Sequence, residues 1–82
     1  MTDADVLAVV REALFEVAPT RVFDDLVLDA TIAELALDSI TTMEMVGVLE
    51  DRVAISFPED ELAKVERIRD LGELMRGRPV ER

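Results

Sequence analysis

The sequence predicts an all-α fold: a four-helix bundle with a long first loop and a short third helix, in one domain of 82 residues. Three observations predict it. Half of the residues are hydrophobic and only 4% are aromatic, so the core is built from Val, Leu, Ile, Ala and Met. That palette suits helices packed on helices better than a thin sheet. Apolar residues recur at helical spacing in three separate stretches, and all three prolines stand at the ends of predicted helices, never inside one. A chain this short lies near the lower limit for a core that holds without staples. The domain is expected to cover 1–82, with its core between about residues 3 and 77.

Thr2-Asp3-Ala4-Asp5 opens the first helix. Thr2 can accept from an early backbone N–H, and both acids favour the positive end of the helix. Val6, Leu7, Val10, Ala13, Leu14 and Val17 form its buried stripe, and Pro19 ends it by pushing Ala18 out of the α region. Residues 20–38 make a long connection. Val22, Phe23, Leu26, Val27 and Leu28 are too apolar for a free linker, so this loop is expected to pack across the bundle. Thr31-Ile32-Ala33-Glu34 has the form of a capping box for one short turn, which would deliver Leu37 into the core and leave Asp38 and Ser39 outside.

The second helix is expected from about Ser39 to about Val53. At about 100° per residue, Thr42, Met45, Val46, Leu49 and Val53 gather on its core side. Ile40, Met43, Glu44, Gly47 and Asp51 gather on another side, next to Ser39, with Glu50 at the margin. Single exposed Ile or Met residues are common and need no explanation, but their clustering with acids and a serine is unusual for an idle solvated face. From the residues alone, an interaction surface and a plain solvated face are about equally open. Ile55 and Phe57 are expected to tuck inward, and Pro58 with Glu59, Asp60 and Glu61 suits the start of a brief third helix. That helix should reach about Val65, anchored by Leu62 and Val65. Ile68, Leu71, Leu74 and Met75 give the fourth helix its stripe, Gly77 and Pro79 stop it, and Val80-Glu81-Arg82 should be loose.

Composition excludes several functions. There is no cysteine, hence no disulfide and no thiolate metal site, and no histidine, hence no Ser-His-Asp or Cys-His arrangement. The one lysine, Lys64, sits in an acidic stretch that keeps it charged, so it is no partner base for a serine. Asp24-Asp25 lacks the spacing and glycine of a helix–loop–helix calcium site, and no metal ligands are assigned. A net charge of −10 disfavours nucleic acid and anionic membrane surfaces. It suits steering toward basic patches on other proteins, although solubility alone would also explain it. No apolar run approaches the roughly 20 residues that span a bilayer, and the acidic start is unlike a signal peptide. A soluble, cytoplasmic monomer is expected, with no catalytic residues of its own.

Ser39 is one of only two serines. If Asp38 caps the second helix and Ser39 is its first residue, the Asp38 carboxylate is used on backbone N–H groups and the Ser39 hydroxyl is left free. A phosphodiester on Ser39 would then sit where backbone donors favour an anion. The chain has no histidine, its one lysine is charged, and its carboxylates read as surface charge because so small a bundle makes no substrate cleft. Ser39 is not activated from within, so any modification of it must come from another protein.

Glu34-Leu35-Ala36-Leu37-Asp38-Ser39-Ile40 resembles the attachment motif of the acyl carrier proteins, usually a Gly, a variable residue, then Asp-Ser-Leu. The resemblance continues through Glu44, Leu49, Glu50 and Asp51, through Phe57-Pro58-Glu59-Asp60, and to Ile68-Arg69-Asp70-Leu71, covering essentially the whole chain. It implies a bundle of the acyl carrier protein type. It also implies that Ser39 receives 4′-phosphopantetheine from coenzyme A through a Mg²⁺-dependent phosphopantetheinyl transferase. Asp38 would help to position that enzyme and its metal. Ile40, Met43, Glu44, Gly47, Glu50 and Asp51 would form the face for acyl-loading, ketosynthase-type or ligase enzymes with basic surfaces. Ala36 departs from the pattern at the usual Gly, Ile40 at Leu, Thr41 at a frequent acid, Gly47 at a larger apolar residue, and Arg67 at a Thr that often caps the fourth helix.

The resemblance favours a discrete acyl carrier of polyketide, specialised-metabolite or fatty-acid synthesis. Its departures suggest partners other than those of a housekeeping fatty-acid carrier. A peptidyl or aminoacyl carrier more often has Gly-Gly and a non-acidic residue before the serine, so Asp38 leans toward acyl cargo. In a different class, the chain could be an acidic helical adaptor that is never modified; attachment of the arm decides between them.

Overall fold

The computed structural model describes residues 1–81, and these form four helices: α1 Asp3–Val17, α2 Ser39–Val53, α3 Glu59–Leu62 and α4 Ile68–Met75. α1 starts as its residues dictate. The Asp5 N–H donates to Thr2 Oγ1 at 3.1 Å while the Thr2 N–H donates to Asp5 Oδ2 at 2.9 Å, a reciprocal cap. Val6, Val10, Ala13 and Leu14 are buried, with Leu7 and Val17 half-buried at the edges of the stripe. α2 lays Met45, Val46 and Leu49 against them. Its solvent-side ties to α1 run from Arg52 to Glu12 and Glu16, both at 3.2 Å; exposed pairs like these add little stability, and burial of the stripe holds the helices together.

The loop before α2 crosses the bundle, but not with every apolar residue inward. Leu26 is buried and Phe23 and Leu28 pack at the core's edge, whereas Val22 and Val27 are 77% and 54% exposed. A bend through 24 and 25 brings the Leu26 N–H back to the Phe23 carbonyl, so the loop does not present one continuous apolar face. The expected short turn forms as a 3-10 turn, Ala33–Leu35, with its box intact: the Glu34 N–H donates to Thr31 Oγ1 at 3.1 Å and Glu34 Oε1 accepts from the Thr31 N–H at 3.2 Å. Leu35, not Leu37, is the residue it drives into the core; Leu37 is half-buried.

α3 is shorter than expected, ending at Leu62 and burying none of its residues fully. The Lys64 and Val65 N–H groups reach back three residues, to Glu61 and Leu62, in place of four, so the chain tightens out of the α-helix. That turn still brings Val65 to the core's edge beside Leu62.

α4 starts firmly despite Arg67. A guanidinium has no acceptor to offer as a cap, and the free N–H groups are met in other ways. Asp70 Oδ2 accepts from the Glu66 and Arg67 N–H groups at 2.9 and 3.0 Å, while the Ile68 and Arg69 N–H groups donate to the Ala30 and Leu28 carbonyls of the long loop. Loop and helix thereby fix one another. At the far end Gly77, with φ 72°, turns the chain, and the Arg78 N–H returns to the Glu73 carbonyl at 2.8 Å. The tail after it is not loose: Val80 is 2% exposed and its N–H donates to Glu61 Oε1 at 2.7 Å. Burial of an apolar side chain in the core and a carboxylate accepting from its N–H are enough to dock it. Glu81 is exposed, and Arg82 lies outside the described residues.

Candidate functional site

Everything around Ser39 follows from a tight corner between the 3-10 turn and α2. Ala36 closes the turn in the left-handed region, φ 54° and ψ 42°, a conformation that costs a residue with a Cβ roughly 1–2 kcal/mol. The glycine usual at this position would adopt it freely; the alanine adopts it with that strain. Leu37 then turns toward the core and Asp38 becomes extended, φ −74° and ψ 171°, as the N-cap of α2.

Asp38 is tied to the helix start through one carboxylate oxygen and its carbonyl. Its Oδ1 accepts from the Thr41 N–H at 2.7 Å, and its carbonyl accepts from the Thr42 N–H at 2.9 Å and from Thr42 Oγ1 at 2.8 Å. The Thr41 N–H holds the Asp38 carboxyl below the usual carboxylate range, so it is ionised at neutral pH. Ser39 is the first residue of α2 and is exposed, and its hydroxyl makes no hydrogen bond among the described residues. Cap and free hydroxyl are thus separated on adjacent residues, as the sequence predicts.

The exposed side of α2 gathers the residues singled out beside Ser39. Ile40 and Met43 are 75% and 61% exposed, Glu44 and Asp51 are exposed, and Gly47 is half-buried. Ser39, Ile40, Met43 and Glu44 line one open depression. Arg52, the only cation of α2, points to α1, so this side carries apolar surface together with Glu44 and Asp51, which make no ion pair among the described residues. Glu50 differs from the rest of the group. It is half-buried, and its Oε2 accepts from the Phe57 N–H at 2.6 Å, bracing the link to α3.

Met43 also lines a small, partly open pocket of about 130 Å³, together with Ile32 of the long loop, Thr42, Met45 and Val46 of α2, Leu62 and Val65 after it, and Leu71 of α4. Leu49 and Ile68 do not reach this pocket, and Ile55 borders a separate groove with Pro58, Leu74 and Pro79. Two residues that shape the corner and its frame carried no sequence signal: Arg21, whose guanidinium reaches Ala36 from fifteen residues away, and Gly72, where α4 meets α1.

No helix among the described residues is long and apolar enough to cross a membrane. Comparison with curated proteins and with solved structures gives no match. A family model described as phosphopantetheine attachment site matches residues 4–75, from the second residue of α1 to the last of α4, with the Asp38–Ser39 corner near its middle. The chain therefore belongs to the phosphopantetheine attachment site family and is a carrier protein whose cofactor is covalently attached 4′-phosphopantetheine.

Proposed function

We propose that Ser39 is the residue that receives the arm and that the protein is a non-catalytic acyl carrier of polyketide, specialised-metabolite or fatty-acid synthesis, working in the cytoplasm. The observation that carries this reading is the division of labour at the corner: Asp38 supplies the cap, and the adjacent Ser39 hydroxyl stands exposed and uncommitted at the helix start. These residues fit the group. A phosphodiester at Ser39 meets the positive end of α2, and Ile40 and Met43 offer apolar surface beside it.

In the attachment step Ser39 Oγ bonds to the pantetheine-side phosphorus of coenzyme A. The phosphoanhydride bond breaks, and 3′,5′-adenosine bisphosphate leaves with its electron pair. The hydroxyl proton goes to a base of the transferase, because this chain has no histidine and no free lysine to take it. Asp38, ionised and exposed, is placed to help orient the transferase's Mg²⁺. Once bound, the arm supplies a terminal thiol that holds acyl groups as thioesters.

Ile40, Met43, Glu44, Gly47 and Asp51 form the face for the transferase and for loading and condensing enzymes with basic surfaces, Glu50 contributing at its edge. The small, partly open pocket beside Met43 has room for only a few carbons unless α3 moves, which its lack of fully buried residues favours.

The test of acyl against aminoacyl cargo is direct. The loaded protein is offered to an acyl-activating ligase with ATP and carboxylic acids, and separately to an adenylation enzyme with amino acids. A hydroxylamine-labile acyl adduct from the ligase supports the proposal. Adducts from the adenylation enzyme alone overturn it.

A further inference from the structure

The corner that presents Ser39 rests on Ala36, an alanine in a conformation that a Cβ disfavours. The Ala36 N–H is fixed by the Ala33 carbonyl at 3.0 Å. Its own carbonyl lies past the end of the 3-10 turn, where no backbone donor continues the pattern. The donor comes from across the loop: Arg21 Nη1 reaches that carbonyl at 3.1 Å.

Arg21 is itself held at both ends. Its backbone N–H donates to the Ala18 carbonyl at 3.1 Å, just past α1, and its guanidinium lies 4.8 Å from the centre of the Phe23 ring, which packs at the edge of the core. A continuous chain of contacts thus runs from the end of α1 through Arg21 to Ala36, and from there through Asp38 to the first turn of α2.

We infer that Arg21 is a positioning residue for arm attachment. By holding the Ala36 carbonyl it fixes the peptide plane between Ala36 and Leu37, and with it the left-handed turn that sends Leu37 to the core and sets Asp38 over α2. Arg21 touches no reacting atom; it acts through Ala36. The inference rests on Ser39 being the attachment residue. Without the clamp, Ala36 drifts to the conformations it prefers, and the transferase meets a formed corner less often. Apparent affinity falls by the fraction of time the corner is formed, while chemistry after binding is unchanged.

The experiment follows arm transfer from coenzyme A, with Mg²⁺ and one phosphopantetheinyl transferase, by intact mass. The proteins are the wild type, Arg21→Met, Arg21→Ala, Ala36→Gly and Arg21→Met/Ala36→Gly, with Ser39→Ala as the blank. Methionine keeps an apolar stem over Phe23 and removes the donors, so Arg21→Met tests the bond with the fold intact. Its KM should rise about three- to ten-fold at unchanged kcat, the effect of one exposed hydrogen bond, and Arg21→Ala should show the same split.

Glycine occupies the left-handed region freely, so Ala36→Gly alone should behave as wild type, and in the double variant it should return KM to within about two-fold of wild type. That rescue separates the clamp from a loss of charge or of packing, neither of which glycine restores. Amide shifts at Leu37 and Asp38 should move in Arg21→Met and return in the double variant. A wild-type KM in Arg21→Met, or a double variant no better than Arg21→Met, overturns the clamp alone. A wild type that takes no arm overturns the attachment reading and this inference with it.

Discussion

At Gly72, α4 packs tightly against Val6 of α1, and replacing it with alanine tests the packing that frames the site. A Cβ built there would lie 3.0 Å from Val6 Cγ1 and 3.3 Å from Cγ2, both closer than ordinary van der Waals contact. Val6 is fully buried, and its branched Cβ has one strongly preferred rotamer in a helix, so it cannot swing aside. Alanine gains about 1 kcal/mol of helix propensity, against about 1–3 kcal/mol for overpacking a filled core. The expected net effect is a loss of about 1 kcal/mol, which lowers the melting temperature of a domain this size by about 4–8 °C.

Urea unfolding followed by far-ultraviolet circular dichroism, on Gly72→Ala, Val6→Ala and the double variant, measures it. Val6→Ala removes the two γ carbons that the new methyl would strike, so the double variant should be more stable than the sum of the single effects predicts. A Gly72→Ala protein stabilised by the full propensity gain, with no coupling to Val6, would refute the close approach of the two helices.

Three other outcomes follow from the same structure. Ala54 caps α2 at φ 56° and ψ 38°, so Ala54→Gly should stabilise the protein by about 0.5–1 kcal/mol in urea unfolding, the relief of strain less glycine's entropy cost; a destabilised variant contradicts the left-handed cap. Val80→Ala removes buried methyls and should cost about 1–2 kcal/mol, with faster amide exchange at the Val80 N–H, whereas an unchanged midpoint would mean the tail is undocked.

The third concerns acid. Asp5 and Asp38 accept from the backbone N–H groups of Thr2 and Thr41, and Glu61 from Lys64 and the Val80 N–H, so all three ionise below their usual range when folded. Depressed carboxyls stabilise the fold fully above their unfolded values, and that contribution fades as pH drops through the folded ones. Stability should therefore be flat above about pH 5 and fall progressively below about pH 4; a stability that rises on acidification contradicts these bonds.

What was legible in the sequence was local. Thr2 before α1, Thr31 with Glu34, and Asp38 before Ser39 are caps written within four residues, and each forms at the place the sequence offers it. The stripes of α1, α2 and α4 are likewise periodic over a few turns. What stayed hidden depends on residues far apart in the chain. The start of α4 is secured by carbonyls at 28 and 30, the tail by Glu61, and the Ala36 corner by Arg21. Leu35 and Leu37 are equally apolar, and only the φ of 54° between them decides which one is buried. Nothing in a short window ending at Ala36 announces a left-handed alanine, because the usual signal is glycine.

The most direct test of the central claim is intact mass after incubation with coenzyme A, Mg²⁺ and a promiscuous phosphopantetheinyl transferase, wild type beside Ser39→Ala. Ser39 is exposed and its hydroxyl serves no cap, so the alanine variant should fold as the wild type does. A gain of one phosphopantetheine in the wild type alone is the predicted result. A gain in both, or none in a folded wild type, would contradict Ser39 as the bearer of the arm.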